Sequence, residues 1–249
     1  MMAVIEASDK KKCTDTLRWL AWADEDYVAA RTLLLDGLVV QGAALANTAV
    51  EKYLKGVCEL SNISFRGLGH DVSRLNDLLN GHGVTLGLNA DFLEFLHKAY
   101  QLRYPDDLAP GFNMALNSAA TLVETDLTVQ RIRKGFTIKQ NGKVVQTRFD
   151  MLLREGAAAL VAKNCAMDSD ARARLFSEPS WSYEIRVLEN EVVLQARYQT
   201  EALREINHFR CSGLAPTNEA ESKRVDFTWP PTDGGKGLDF SAPPKKENA

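Results

Sequence analysis

Arg103 stands before Tyr104-Pro105-Asp106-Asp107, a permanent cation followed closely by two carboxylates. A guanidinium can grip phosphate through its forked N–H donors. It can equally close a salt bridge with Asp106 or Glu51 inside its own fold. His70-Asp71 offers an imidazole and a carboxylate side by side at a helix start. There the Asp can accept backbone N–H bonds and the His can fix the loop, or the imidazole can move protons. His97 follows Leu93 by four residues and precedes Lys98. It has no second ligand at useful spacing and reads as a surface or dimer-interface residue. Glu51, Lys52 and Lys55 make a charged stripe, by default a solvated helix face. Between Arg131 and Phe149 lie Arg131, Arg133, Lys134, Lys139, Lys143 and Arg148 without one acid. That run can hold phosphates in a salt-dependent way, or its lysines can guard a strand edge against pairing.

The rest of the sequence removes other chemistries. The 249 residues carry a net charge of −3, which gives no bulk attraction to nucleic acid or anionic membrane, so any nucleic-acid function must rest on a local patch. Cys13, Cys58, Cys165 and Cys211 form no Cys-x-x-Cys pair and read as reduced thiols. Gly234-Gly235-Lys236 lacks the strand and spacing of a phosphate loop, and no hydrolase or zinc-protease motif occurs. Neither a metal nor a cofactor is expected. Lys10-Lys11-Lys12 is not followed by an apolar run, and no stretch reaches the roughly 20 apolar residues of a membrane span. The expected compartment is the cytoplasm.

The elements that must position these residues are mostly helical. Leu20, Ala23, Tyr27, Ala30 and Leu34 line one helix, capped at Thr14 or Asp15 and ended by Gly37. Ala43, Ala46, Val50, Leu54 and Val57 line a second, from about residue 41 to 60, and the short link predicts antiparallel packing. Val72, Leu75 and Leu79 mark a third. Phe92, Phe95, Leu96, Ala99 and Leu102 mark a fourth, capped at Asp91 and ended at Tyr104 by Pro105. A fifth is expected from Asn113 to Lys134. Residues 136–147 read as a β-hairpin turning at Asn141-Gly142. Residues 150–166 read as helix. For 181–209 one long helix is favoured over a strand beginning at Tyr183, and from Ser212 the composition predicts a flexible tail.

Trp19, Ala23, Asp26-Tyr27, Ala30 and Leu33-Leu34 are followed by Asn47-Thr48-Ala49-Val50-Glu51-Lys52-Tyr53-Leu54-Lys55. Gly69-His70-Asp71 with Leu75 comes next, and then Tyr100 and Arg103-Tyr104-Pro105-Asp106. This order resembles the HEPN family, in the branch found beside small nucleotidyltransferases, over about residues 14–134. The resemblance implies an all-α bundle that usually forms a homodimer. It also implies either metal-independent ribonuclease activity or binding of RNA, nucleotide or a partner enzyme. Active members carry an Arg, then four to six residues, then a His, facing a second copy across the dimer. That chemistry needs a proton-transfer group and a cation for the charged intermediate. Arg103 matches the arginine, but no His falls in the window after it, and Asp106 and Asp107 would repel phosphate.

The sequence therefore predicts a mainly α protein: an antiparallel HEPN-like bundle, then a β-hairpin and a smaller, mostly helical C-terminal region. The expected divisions are 1–13, 14–134, 135–211 and 212–249. The leading functional expectation is binding of RNA or nucleotide through Arg103, Asp106, Lys52, Lys55 and the basic run, in a defence or toxin–antitoxin system with a nucleotidyltransferase-type partner. A second is an active ribonuclease whose histidine is His97 or His70. A third is an interaction scaffold that recruits a partner through Phe227 and Trp229.

Overall fold

The computed structural model describes residues 3–6, 10–140, 143–188 and 193–200. The Asn141-Gly142 turn, Val192, Leu203, Ile206, His208, Cys211 and the tail from Ser212 lie outside these residues.

Helices α1 (Lys10–Leu35) and α2 (Val39–Leu60) form the antiparallel pair at the centre of the molecule. Helix α1 begins ahead of the expected cap, and Asp15 instead pairs with Arg18 at 3.0 Å. The apolar stripes pack as the spacing requires, and Leu20, Ala23, Tyr27, Ala43, Ala46, Val50 and Leu54 are all buried. Gly37 adopts φ +75°, and a Cβ there would lie 2.0 Å from Trp181 Cδ1. The corner thus needs glycine for backbone conformation and for close approach.

Helices α3 (Val72–Gly81) and α4 (Ala90–Gln101) pack against α2. Asp71 caps α3, accepting from Arg74 N at 3.0 Å. Asn89, rather than Asp91, caps α4, and Asp91 sits in its first turn. Helix α4 ends at Gln101, three residues before the expected limit, and Pro105–Asp107 form a single 3-10 turn.

Two stretches expected to be helical are strands. Strand β2 (Asn113–Asn117) precedes helix α5 (Ser118–Lys134), and Asn117 caps that helix through Ala119 N and Ala120 N at 2.9 and 3.1 Å. Strand β3 (Phe136–Gln140) and β4 (Lys143–Val144) make the anticipated hairpin, and β1 (Ala3–Glu6) adds to β3 in parallel. Helix is replaced again beyond residue 180, where β5 (Ser180–Val187) and β6 (Val193–Thr200) pair antiparallel. The sheet order is β2-β5-β6. Strands β2 and β5 stabilise each other across a long sequence separation, with Met114 opposite Ile185 and both buried, and β6 then pairs with β5, its neighbour in the chain. Local periodicity carries no trace of that pairing.

The helical stretch expected at 150–166 is broken into α6 (Arg148–Arg154) and α7 (Ala158–Val161) by Gly156, which adopts φ +67°. Thr147 and Asp150 close a capping box at the start of α6. A further helix, α8 (Ala171–Ser177), follows. The main apolar core joins Leu54 and Phe92 of the bundle to Ile138, Leu152, Leu160 and Ile185, so it runs on past residue 134.

Candidate functional site

Glu51 lies in the middle of α2 and is 4% exposed, so the expected solvated stripe is in fact partly core. A buried carboxylate needs partners, and it has two. Lys55 Nζ, one turn on, donates to Glu51 Oε1. His70 Nδ1, at the entrance to α3, lies 2.8 Å from Glu51 Oε2. Asn47, one turn before Glu51, donates Nδ2 to the His70 carbonyl at 3.3 Å, which fixes the loop from a second side. Its Oδ1 is buried without a partner among the described residues.

The His70 side chain is 57% exposed. Its ring stacks on Tyr100 of α4, with centroids 4.8 Å apart. Arg103 donates Nη1 to Tyr100 Oη at 3.0 Å, and its guanidinium lies 5.0 Å from the centre of the Tyr100 ring and 5.7 Å from that of Tyr104. Burial raises the Tyr100 hydroxyl pKa, opposed by Arg103, so the phenol remains a neutral donor and acceptor at ordinary pH. Arg103 makes no ion pair with Asp106 or Glu51 among the described residues; Tyr100 takes that place. Glu51, His70, Tyr100 and Arg103 thus form one chain of contacts that ends in an exposed cation.

The other candidates lie elsewhere. Lys52 turns toward α1 and pairs with Asp26 at 2.6 Å. His97 lies on α4 with Nδ1 buried and unpartnered among the described residues. Asp106 is exposed in the 3-10 turn beside Arg103. In the basic run, Arg131, Lys134 and Lys143 are exposed and Lys139 is half-buried. Arg148 pairs with Glu25 at 3.0 Å. Arg133 is a strut: it reaches Asp24 at 3.1 Å, Thr147 Oγ1 at 2.8 Å and Asp150 at 3.5 Å, and its guanidinium lies 3.9 Å from the centre of the Phe149 ring.

Two buried polar networks escaped the sequence reading. Asp24 accepts from Tyr53 Oη, Arg133 and Phe149 N. Burial raises its carboxyl pKa against the lowering effect of Arg133. Deeper still, Arg31 and Asp126 are both 0% exposed and paired. Tyr27 Oη donates to Asp126 at 2.7 Å and Cys165 N donates to its other oxygen at 3.0 Å, while Arg31 Nε donates to the Ala159 carbonyl at 2.8 Å. These bonds tie residues 159–165 to α1 and α5. Among the described residues no His, Cys, Asp and Glu side chains gather as a metal site requires, and no helix is long and apolar enough to cross a membrane.

A family model of the HEPN domain matches residues 16–129, the span that holds most of α1, all of α2 to α4 and most of α5. No curated protein and no solved structure matches the chain.

Proposed function

Because residues 16–129 form a HEPN domain, a family often with ribonuclease or nucleotide-related roles, we propose that this chain binds the phosphate of RNA or a nucleotide at the Arg103–Tyr100–His70–Glu51 cluster. The observation that carries this reading is the junction at Tyr100, which draws together an exposed arginine and an exposed histidine from separate elements. Arg103 is held by a hydroxyl and two aromatic faces rather than neutralised by a carboxylate, so its charge stays available to an anion. The module acts as a homodimer alongside a nucleotidyltransferase-type partner in a defence or toxin–antitoxin setting.

A second reading, cleavage, is favoured by the Glu51–His70 contact. A carboxylate on Nδ1 fixes the tautomer in which that nitrogen carries the proton, which leaves Nε2 as a base. In that reaction a 2′-hydroxyl attacks the adjacent phosphorus and its proton passes to His70 Nε2. The P–O5′ bond breaks to leave a 2′,3′-cyclic phosphate, the departing 5′-oxygen takes a proton from water, and Arg103 balances the phosphorane charge. The missing histidine of the Arg–His motif is then supplied by α3's entrance loop.

End-labelled single-stranded RNA at low salt, scored for mobility shift and for cleavage, tests both. Arg103→Ala is expected to weaken the shift at least about tenfold, the scale of a lost charge-assisted contact. Cleavage that disappears in His70→Ala while the shift persists would establish the second reading. A wild-type protein that neither shifts nor cleaves RNA would remove both and leave the scaffold.

A further inference from the structure

The cluster does not stop at His70. Lys55, which shares Glu51 with His70, also lies 5.7 Å from the ring centres of both Trp19 and Phe65. Those two rings meet edge to face at 5.9 Å, and Trp19 meets Trp22 in the same manner at 5.7 Å. Trp19 and Trp22 are three residues apart on α1, so they occupy one side of that helix. Arg18, four residues before Trp22, lies 5.6 Å from its ring centre. Trp22 is 47% exposed, a large apolar area to leave in water.

Aromatic rings alternating with cations suit one ligand class. A single strand of nucleic acid presents a π face and a phosphate at every step, and its bases are free to stack because none is paired. A duplex hides those faces, and a mononucleotide is too short to use more than one ring. We propose that Trp22, Trp19 and Phe65 extend the phosphate cluster along α1 into a stacking track for several nucleotides of single-stranded RNA. The proposal rests on the binding reading above and assigns its ligand.

Charge has a minor part in the track. Arg18 is paired with Asp15, and Lys55 with Glu51. Arg103 therefore supplies most of the phosphate contact, and affinity should fall gently with salt, with a double-logarithmic slope of about −1.

Fluorescence anisotropy with a labelled oligouridylate dinucleotide and decanucleotide, each with the full chain, separates the claims. The decanucleotide is expected to bind at least about tenfold tighter, and Trp22→Ala to erase about tenfold of its affinity without affecting the dinucleotide. Trp22→Phe, which keeps a ring, should retain most of the affinity. An RNA duplex of the same length should compete poorly. Equal affinity for the two lengths, an unchanged decanucleotide affinity in Trp22→Ala, or equal competition by duplex would overturn the track. Arg103→Ala reports on the cluster separately. If it weakens both ligands while Trp22→Ala weakens neither, the cluster stands and the track falls. If Arg103→Ala weakens neither ligand while Trp22→Ala weakens the decanucleotide, the cluster reading falls, and with it the claim that the rings extend that cluster.

Discussion

Arg31 and Arg103 are both arginines beside tyrosines on helices or helix ends of the same bundle, yet they have opposite fates. Arg31 is fully buried, and Asp126 and two backbone carbonyls take up its donors. Arg103 is exposed, bonds one phenol oxygen and lies against two rings. The first has spent its bonding capacity on joining α1 and α5 to the C-terminal region. The second keeps capacity in hand. Residue type alone does not mark a site; the decisive feature is unspent hydrogen-bonding capacity at a surface where a ligand can arrive.

The sharpest way to break this contrast is at the buried arginine. Asp126→Asn leaves Arg31 as an uncompensated charge, and a loss of about 3–5 kcal/mol is expected. For a chain of this size that lowers the melting temperature by about 10 °C, measurable by calorimetry. A shift of a degree or less would show that the pair is not what holds the C-terminal region.

Arg133→Met should cost less, about 2 kcal/mol at neutral pH, because Asp24 keeps Tyr53 and Phe149 N as partners. Its pH dependence carries a definite sign. Burial already raises the Asp24 carboxyl above its unfolded value, and removal of Arg133 raises it further. A raised acid favours the fold fully below the unfolded pKa and loses that contribution as pH rises through the folded one. The destabilisation of Arg133→Met should therefore shrink on acidification, as denaturant melts across pH would reveal. A deficit that grows in acid would mean Asp24 does not face Arg133 in solution.

The smallest effect expected is at the thiols. Burial pushes Cys58 up to about 11, and burial with Asp126 nearby pushes Cys165 up to about 12. The thiolate is the reactive form, so peptide mapping after iodoacetamide treatment near neutral pH should find both nearly unlabelled. Because the folded thiols hold protons that the unfolded chain releases near 9, their contribution to the fold is complete below that pH and is lost as pH climbs through 11 to 12. Rapid labelling of Cys165 at neutral pH would mean the Asp126 network opens readily.

Much of the bundle was legible because its helices are amphipathic. The spacing from Leu20 to Leu34 and from Ala43 to Val57 names the buried faces directly. Helix α5 was less legible because its buried side includes Thr121, Thr125, Asp126 and Thr128, polar residues that no apolar spacing marks. Thr125 satisfies its hydroxyl on the Thr121 carbonyl at 2.7 Å, and Asp126 finds Arg31 and Tyr27, partners no local window contains. Strands β2 and β5 were hidden for the same reason, and β6 is paired onto β5. At the candidate site the sequence marked Arg103, His70 and Glu51 singly. Tyr100, one turn before Arg103, stood among the residues of the family resemblance but without a role, and its spacing from Arg103 on a helix end is the signal that it joins them.

The most direct measurement is Arg103→Ala, assayed for melting temperature and single-stranded RNA affinity in one preparation. The expectation is a melting temperature within about a degree of wild type, as for an exposed side chain, and an affinity at least about tenfold weaker. A mutant that melts several degrees lower and binds RNA as before would contradict it, because Arg103 would then be a structural residue like Arg31.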